Sequence, residues 1–167
     1  MRLSYLFTIA VIATGVIYMK IRPNRNVRNN NPLNIRESAD WVGERSVNLD
    51  KEFEEFQSPE FGFRAAYIIL LRYLERGDNS IAAIIAKWAP SSENHTDDYI
   101  AYIADKMGLS PVDQLLPSDL PLLMVHMANY EGAKGAYTYD QALAGRNLAH
   151  NETFVLARID RITGGYA

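Results

Sequence analysis

No cysteine occurs among the 167 residues, which excludes disulfide frameworks, thiolate zinc ligation and thiol nucleophiles while leaving the redox compartment open. Histidine is almost as scarce. His95, His126 and His150 are the only three, and no HExxH places two of them on one helix face, so neither a catalytic zinc nor any other cofactor is expected. GxSxG and phosphate-binding glycine loops are missing too, which removes support for esterase and nucleotide chemistry. Acids are missing from the first 30 residues, which carry Arg2, Lys20, Arg22, Arg25 and Arg28, whereas the rest holds 12 Lys+Arg against 20 Asp+Glu. An acidic domain repels phosphate, and no nucleic-acid partner is expected.

At 48% hydrophobic and 22% charged, the composition is that of one globular domain. Between Arg2 and Lys20, residues 3–19 are uncharged, and as a helix they would rise roughly 25 Å, close to the thickness of a bilayer's hydrocarbon core. Small residues around Ala13 also fit a cleaved secretory signal, but Val16-Ile17-Tyr18-Met19 prolongs the apolar run and favours an uncleaved anchor. The expected organisation is a membrane anchor over residues 1–22, a basic linker over 23–28 facing lipid headgroups, and a folded domain over 29–167. The lipid membrane is then a partner through residues 3–19, and the protein is expected to be single-pass and membrane-anchored.

Residues 29–57 are rich in Asn and alternate apolar with polar at Val47, Leu49, Phe53 and Phe56, which predicts loops with a short β-ribbon. From Ser58 the pattern is helical. Ser58-Pro59 opens a long helix reaching Gly77; SIAAIIAKWA ends before Pro90; Thr96 to Gly108 makes a third. A short helix follows Ser110-Pro111, another runs from Ser118 or Asp119 to Gly132, a sixth spans Thr138 to Leu143, and the last runs from Asn151 to Gly164. The product is a mostly α domain with a small β element near its start.

On the helix before Gly132, Leu120, Leu123, Met124 and Met127 follow the i, i+3, i+4, i+7 pattern, and the same stripe continues to Glu131. An acid thus sits on the buried face, at the negative end of the helix dipole. Both circumstances favour its protonated form, which a general acid needs. Glu52, Glu54 and Glu55 alternate around Phe53 and Phe56 as the solvated face of a ribbon, and Glu60 suits a helix's first turn. Glu37 and Glu93 stand in loops that could line a groove, and the aromatics beside loops, among Trp41, Trp88, Tyr130, Tyr137 and Tyr139, could stack on sugar rings.

The segments NNNPLNIR (residues 29–36), Trp41-Val42-Gly43, FEEFQSPEFGFRAA and WAPSSENHTDDYI resemble, in this order, the virion-associated peptidoglycan hydrolases of bacteriophages, a lysozyme-like group. Leu33 stands where that group usually shows Gly. The opening is also similar to flagellar and autolysin-type glucosaminidases, whose catalytic Glu closes a helix before the Asn loop; here ANYEGAKG resembles such a helix end and follows it. The resemblance implies a lysozyme-like α+β domain in circularly permuted order, with Glu131 catalytic and a sugar groove shaped by Asn31, Asn34, Trp41, Glu93, Asn94 and Tyr137. Implied too are peptidoglycan glycan strands as the substrate, other virion membrane proteins as partners, and a location in a phage virion membrane or an envelope facing the periplasm.

The expected reaction is cleavage of the β-1,4 bond between N-acetylmuramic acid and N-acetylglucosamine, serving phage genome entry or local wall opening. One essential acid favours a lytic transglycosylase. A hydrolytic lysozyme or glucosaminidase wants a second acid, for which Glu37, Glu52 and Glu54 are the candidates. A rival of another class is a virion structural or glycan-binding protein without catalysis.

Overall fold

A computed structural model describes residues 23–92 and 95–164. Among them the chain forms α1 (Arg25–Arg28), α2 (Pro59–Glu75), α3 (Ile81–Trp88), α4 (Thr96–Met107), α5 (Leu120–Tyr130), α6 (Tyr139–His150) and α7 (Thr153–Thr163). α2 is the spine. Phe63, Ala66, Tyr67, Leu70 and Leu71 on it are fully buried, and it packs most extensively on α6, with α5 and α7 on its other sides. Gly145 permits the α2–α6 approach, because a Cβ there would lie 2.5 Å from the Phe63 Cβ and 2.8 Å from the Glu60 carbonyl oxygen. α5 is apolar nearly all round, and Leu120, Leu123, Met124 and Met127 are each fully buried, a gain of about 1.5–3 kcal/mol per side chain.

Helix ends follow local chemistry. Pro59 takes the first turn of α2, Ser80 accepts from the Ala83 N–H, and α4 and α7 close on left-handed Gly108 and Gly164. α6 outruns its expected end at Leu143 and continues to His150, started by a capping box between Thr138 and Gln141. The short helix expected after Ser110-Pro111 is a turn instead.

The expected α+β fold with a small β element is corrected: the described residues contain helices and no strand. Residues 36–57 pair through the isolated antiparallel bridges Arg36–Phe53 and Glu44–Phe56 and a few backbone hydrogen bonds such as Arg45 N–H to the Glu55 carbonyl, without forming a strand. Nothing covers the apolar positions Val47 and Leu49, which are 66% and 80% exposed, although Phe56 is buried. Side chains supply the missing ladder. Asn31 Nδ2 donates to the Ile35 and Glu54 carbonyls at 2.9 and 3.0 Å, and Glu55 accepts from the Leu49 N–H at 2.6 Å.

Within residues 23–28, Arg25–Arg28 form α1, and Asn24 and Asn26 hydrogen-bond to Gly132 and Glu131. Membrane anchoring by a single span is corrected as well: among the described residues no helix is long and apolar enough to cross a membrane. The transmembrane helix expected in residues 1–22 lies outside the described residues.

Candidate active site

Glu131 caps the C-terminal end of α5, its N–H donating to the Met127 carbonyl at 2.9 Å. Its carboxyl is met from three directions. Asn34 Nδ2 donates to Oε2 at 2.9 Å, the Tyr99 hydroxyl lies 3.3 Å from Oε1, and the Trp88 side chain adds a further hydrogen bond. Burial pushes the Glu131 acid above the usual carboxyl range, and those hydrogen bonds, which favour the ionised form, offset the rise in part. The result is an acid that is protonated more readily than a surface Glu but still able to ionise.

Tyr99 is itself buried, and burial together with the Glu131 charge holds its hydroxyl protonated. That hydroxyl has one proton and two acceptors, Glu131 Oε1 at 3.3 Å and the Met127 carbonyl at 3.4 Å. With Glu131 ionised, Tyr99 donates to Oε1; with Glu131 protonated, Tyr99 turns its proton to Met127 and accepts from the acid. Because Asn34 occupies Oε2 as a donor, the exchangeable proton belongs on Oε1.

Asn34 reaches Oε2 from a left-handed backbone, φ 49°, which Asn tolerates better than most residues. The helix end is clasped by the chain's first described residues. Asn24 donates to the Gly132 carbonyl, and Asn26 Nδ2 donates to the Glu131 carbonyl at 3.5 Å. Tyr130, 37% exposed, stacks on Tyr99 with ring centroids 3.9 Å apart, while Tyr102 tilts against it at 5.3 Å. An open aromatic face therefore adjoins the acid, a surface suited to a sugar ring.

Of the residues singled out in the sequence, the structure brings Glu131 and Asn34 into contact. Asn31 is fully buried, and both ends of its amide are spent on the loop, so it shapes the site without facing a substrate. Tyr137 is buried as well, donating to the Asn26 carbonyl at 2.9 Å and packing edge-on against Phe63. Trp41 is half-buried against the core, its indole N–H without a partner among the described residues. Glu93 and Asn94 lie outside the described residues.

The proposed second acids gather elsewhere. Glu37, Glu52 and Glu54 line a cavity of about 800 Å³ with Asp40, Glu44, Arg36 and Lys51, and Glu131 is not part of it. Glu52 pairs with Arg25 at 2.9 Å. Glu54 is buried and accepts from the Ser38 N–H at 2.9 Å, and burial with the neighbouring Glu44 raises its acid. Tyr99 escaped sequence reading as a site residue because its helical position looks like core, and Trp88 was read only as one of the aromatics beside loops. Asp98, an exposed first-turn acid of α4, acts electrostatically on Tyr130 beside Glu131. Among the described residues no group of His, Asp and Glu could hold a metal ion.

Fold and site together define a helical domain with a half-buried, hydrogen-bonded carboxylic acid at a helix end. The chain is 39% identical to Protein P5 of Pseudoalteromonas phage PM2 over 153 residues, 87% of this chain and 96% of that protein. It belongs to the family of that phage protein. No family model matches the chain.

Proposed function

We propose that this protein cleaves the β-1,4 bond between N-acetylmuramic acid and N-acetylglucosamine in peptidoglycan, as a lytic transglycosylase with Glu131 as its acid and base. The observation that carries the reading is the Glu131 carboxyl itself, raised by burial and gripped by Asn34, Tyr99 and Trp88 beside the open face of Tyr130. Glu131 gives the Oε1 proton to the glycosidic oxygen as the bond from the muramyl C1 breaks. The muramyl 6-hydroxyl oxygen then attacks C1 and returns its proton to Glu131, closing an anhydro ring. Charge developing on the sugar meets the substrate's own acetamido group and the Asn34 amide beside Glu131. The family tie to a phage protein and the likeness of the Asn loop to virion-associated wall hydrolases suit a role in opening the host wall.

A hydrolase needs a second carboxylate, and Asp98, the residue before Tyr99 in the first turn of α4, is the acid that reading would use. Mass spectrometry of the wall fragments separates the two: anhydro-muramyl ends, lighter by one water, identify the transglycosylase, and reducing ends identify the hydrolase. Asp98→Asn leaves the first active and disables the second. A zymogram with no clear zone at any of several pH values refutes both and leaves a glycan-binding protein.

A further inference from the structure

A second cavity, of about 710 Å³, opens between α2, α6, α7 and the turn at residues 116–118, and it shares no residue with the Glu131 site. Leu116, Pro117, Leu156 and Ile159 are the apolar part of its wall, with Ala157 beside them. At its mouth Leu116 and Leu156 are 48% and 49% exposed, apolar surface that the core does not use. Its polar end holds the buried Tyr67 hydroxyl, 3.0 Å from His150 Nε2, and Arg146, which hydrogen-bonds that hydroxyl. The carboxylates nearby are committed to other bases: Glu152 to Arg64, and Glu75 to Arg158 and Arg161. Arg146 is left without an ion pair among the described residues, its Nε buried and unpartnered. Burial and the Arg146 charge lower the His150 pKa, so Arg146 is the cavity's fixed cation. Asp160 on the wall is exposed, and solvent screens its charge.

An unpaired, half-buried guanidinium at the end of an apolar slot matches a ligand with a planar anionic head and a hydrocarbon tail. We propose that this cavity binds a single-chain amphipathic carboxylate, a medium-chain fatty acid, with its head on Arg146 and its tail between Leu116 and Leu156. The proposal is independent of the catalytic reading, and Glu131→Gln binds the ligand normally.

Calorimetric titration of the full-length chain with hexanoate, octanoate and decanoate tests it. The expected result is saturable one-to-one binding that tightens by about fourfold per added methylene. Arg146→Met weakens decanoate by about tenfold or more, the worth of a charged hydrogen-bonded contact, and decyltrimethylammonium, with the same tail and opposite charge, does not bind. Leu156→Glu, at a half-exposed position that does not threaten folding, also weakens decanoate. The proposal is overturned by absence of saturable decanoate binding, by equal affinity for the cationic amphiphile, or by unchanged affinity in either variant with a normal melting transition.

Discussion

Glu131 and its hydrogen-bond partners make separable predictions. Glu131→Gln removes the transferable proton and lowers wall cleavage by about 10²–10⁴-fold. The fold accommodates the amide: its oxygen accepts from Asn34, its NH2 faces Tyr99, and the Tyr99 proton turns to the Met127 carbonyl. Melting temperature is therefore unchanged or raised at neutral pH. The sign follows from linkage. A carboxyl whose pKa is raised by folding binds its proton more tightly when folded, so its stabilising contribution is complete below the unfolded pKa and is lost as pH rises through the folded one. Melting curves across that window fall with pH for the natural protein and are flatter for Glu131→Gln; parallel curves refute the buried-acid assignment. Glu60→Gln, at the start of α2, is the control and retains activity.

Tyr99→Phe removes a donor to the ionised acid, so the Glu131 pKa moves further up and the limb on which activity falls as the acid ionises, the alkaline one, moves to higher pH. An unmoved profile means that Tyr99 only packs. At Asn34, Gly and Ala separate backbone from amide: Asn34→Gly keeps the left-handed turn and loses only the hydrogen bond, while Asn34→Ala adds about 1–2 kcal/mol of strain. The stripe from Leu120 to Glu131 exposed the acid to sequence reading because helical period is local. Asn34 was legible through its motif alone. That it grips Glu131 across 97 residues, and that Tyr99 does so across 32, depends on how helices cross, which no periodicity encodes.

Among the elements, α2 is fixed on one side by Gly62 and on the other by Gly145. A Cβ at Gly62 would come 2.4 Å from the Asn30 carbonyl oxygen and 2.6 Å from the Pro32 ring, so Gly62→Ala pushes the Asn loop off α2. The expected cost is about 1–3 kcal/mol, with a further loss of activity because Asn34 rides on that loop; denaturant unfolding and zymography measure the two. Arg64 on α2 is buried, and its one described charge partner is Glu152 at the start of α7. Glu152→Ala strands the guanidinium and costs about 1–3 kcal/mol by thermal melting; no change means that water replaces the carboxylate.

Five of the helices were bounded in the sequence by Pro59, Ser80, Thr96, Gly132 and Gly164, since start and stop signals act over one turn. The β-ribbon was misread because alternation at Val47 and Leu49 looks like a strand whether or not anything covers its apolar face. α1 was missed for a different reason. Its basic residues suit a linker, and partners distant in sequence, Asp50, Glu52, Glu131 and Tyr137, make it part of the fold.

For the whole molecule, that clasp separates two truncations. A chain starting at Pro23 keeps Asn24 and Asn26 and cleaves wall, whereas one starting at Val27 stays helical by circular dichroism but melts lower and loses activity on the same wall preparation. Equal activity of the two would show that the Glu131 turn holds its shape unaided. The clasp also orders events in time. Asn26 and the Glu131 carbonyl it holds are 105 residues apart, and at about 5–20 residues per second of synthesis the second emerges roughly 5–20 s after the first. The Asn loop, α2 and the aromatic helices are all made while the acid is still untranslated, so a nascent or prematurely terminated chain carries the walls of the site without its reactive group. On the proposed function, no wall-cleaving activity arises from a nascent chain until Glu131 has been made.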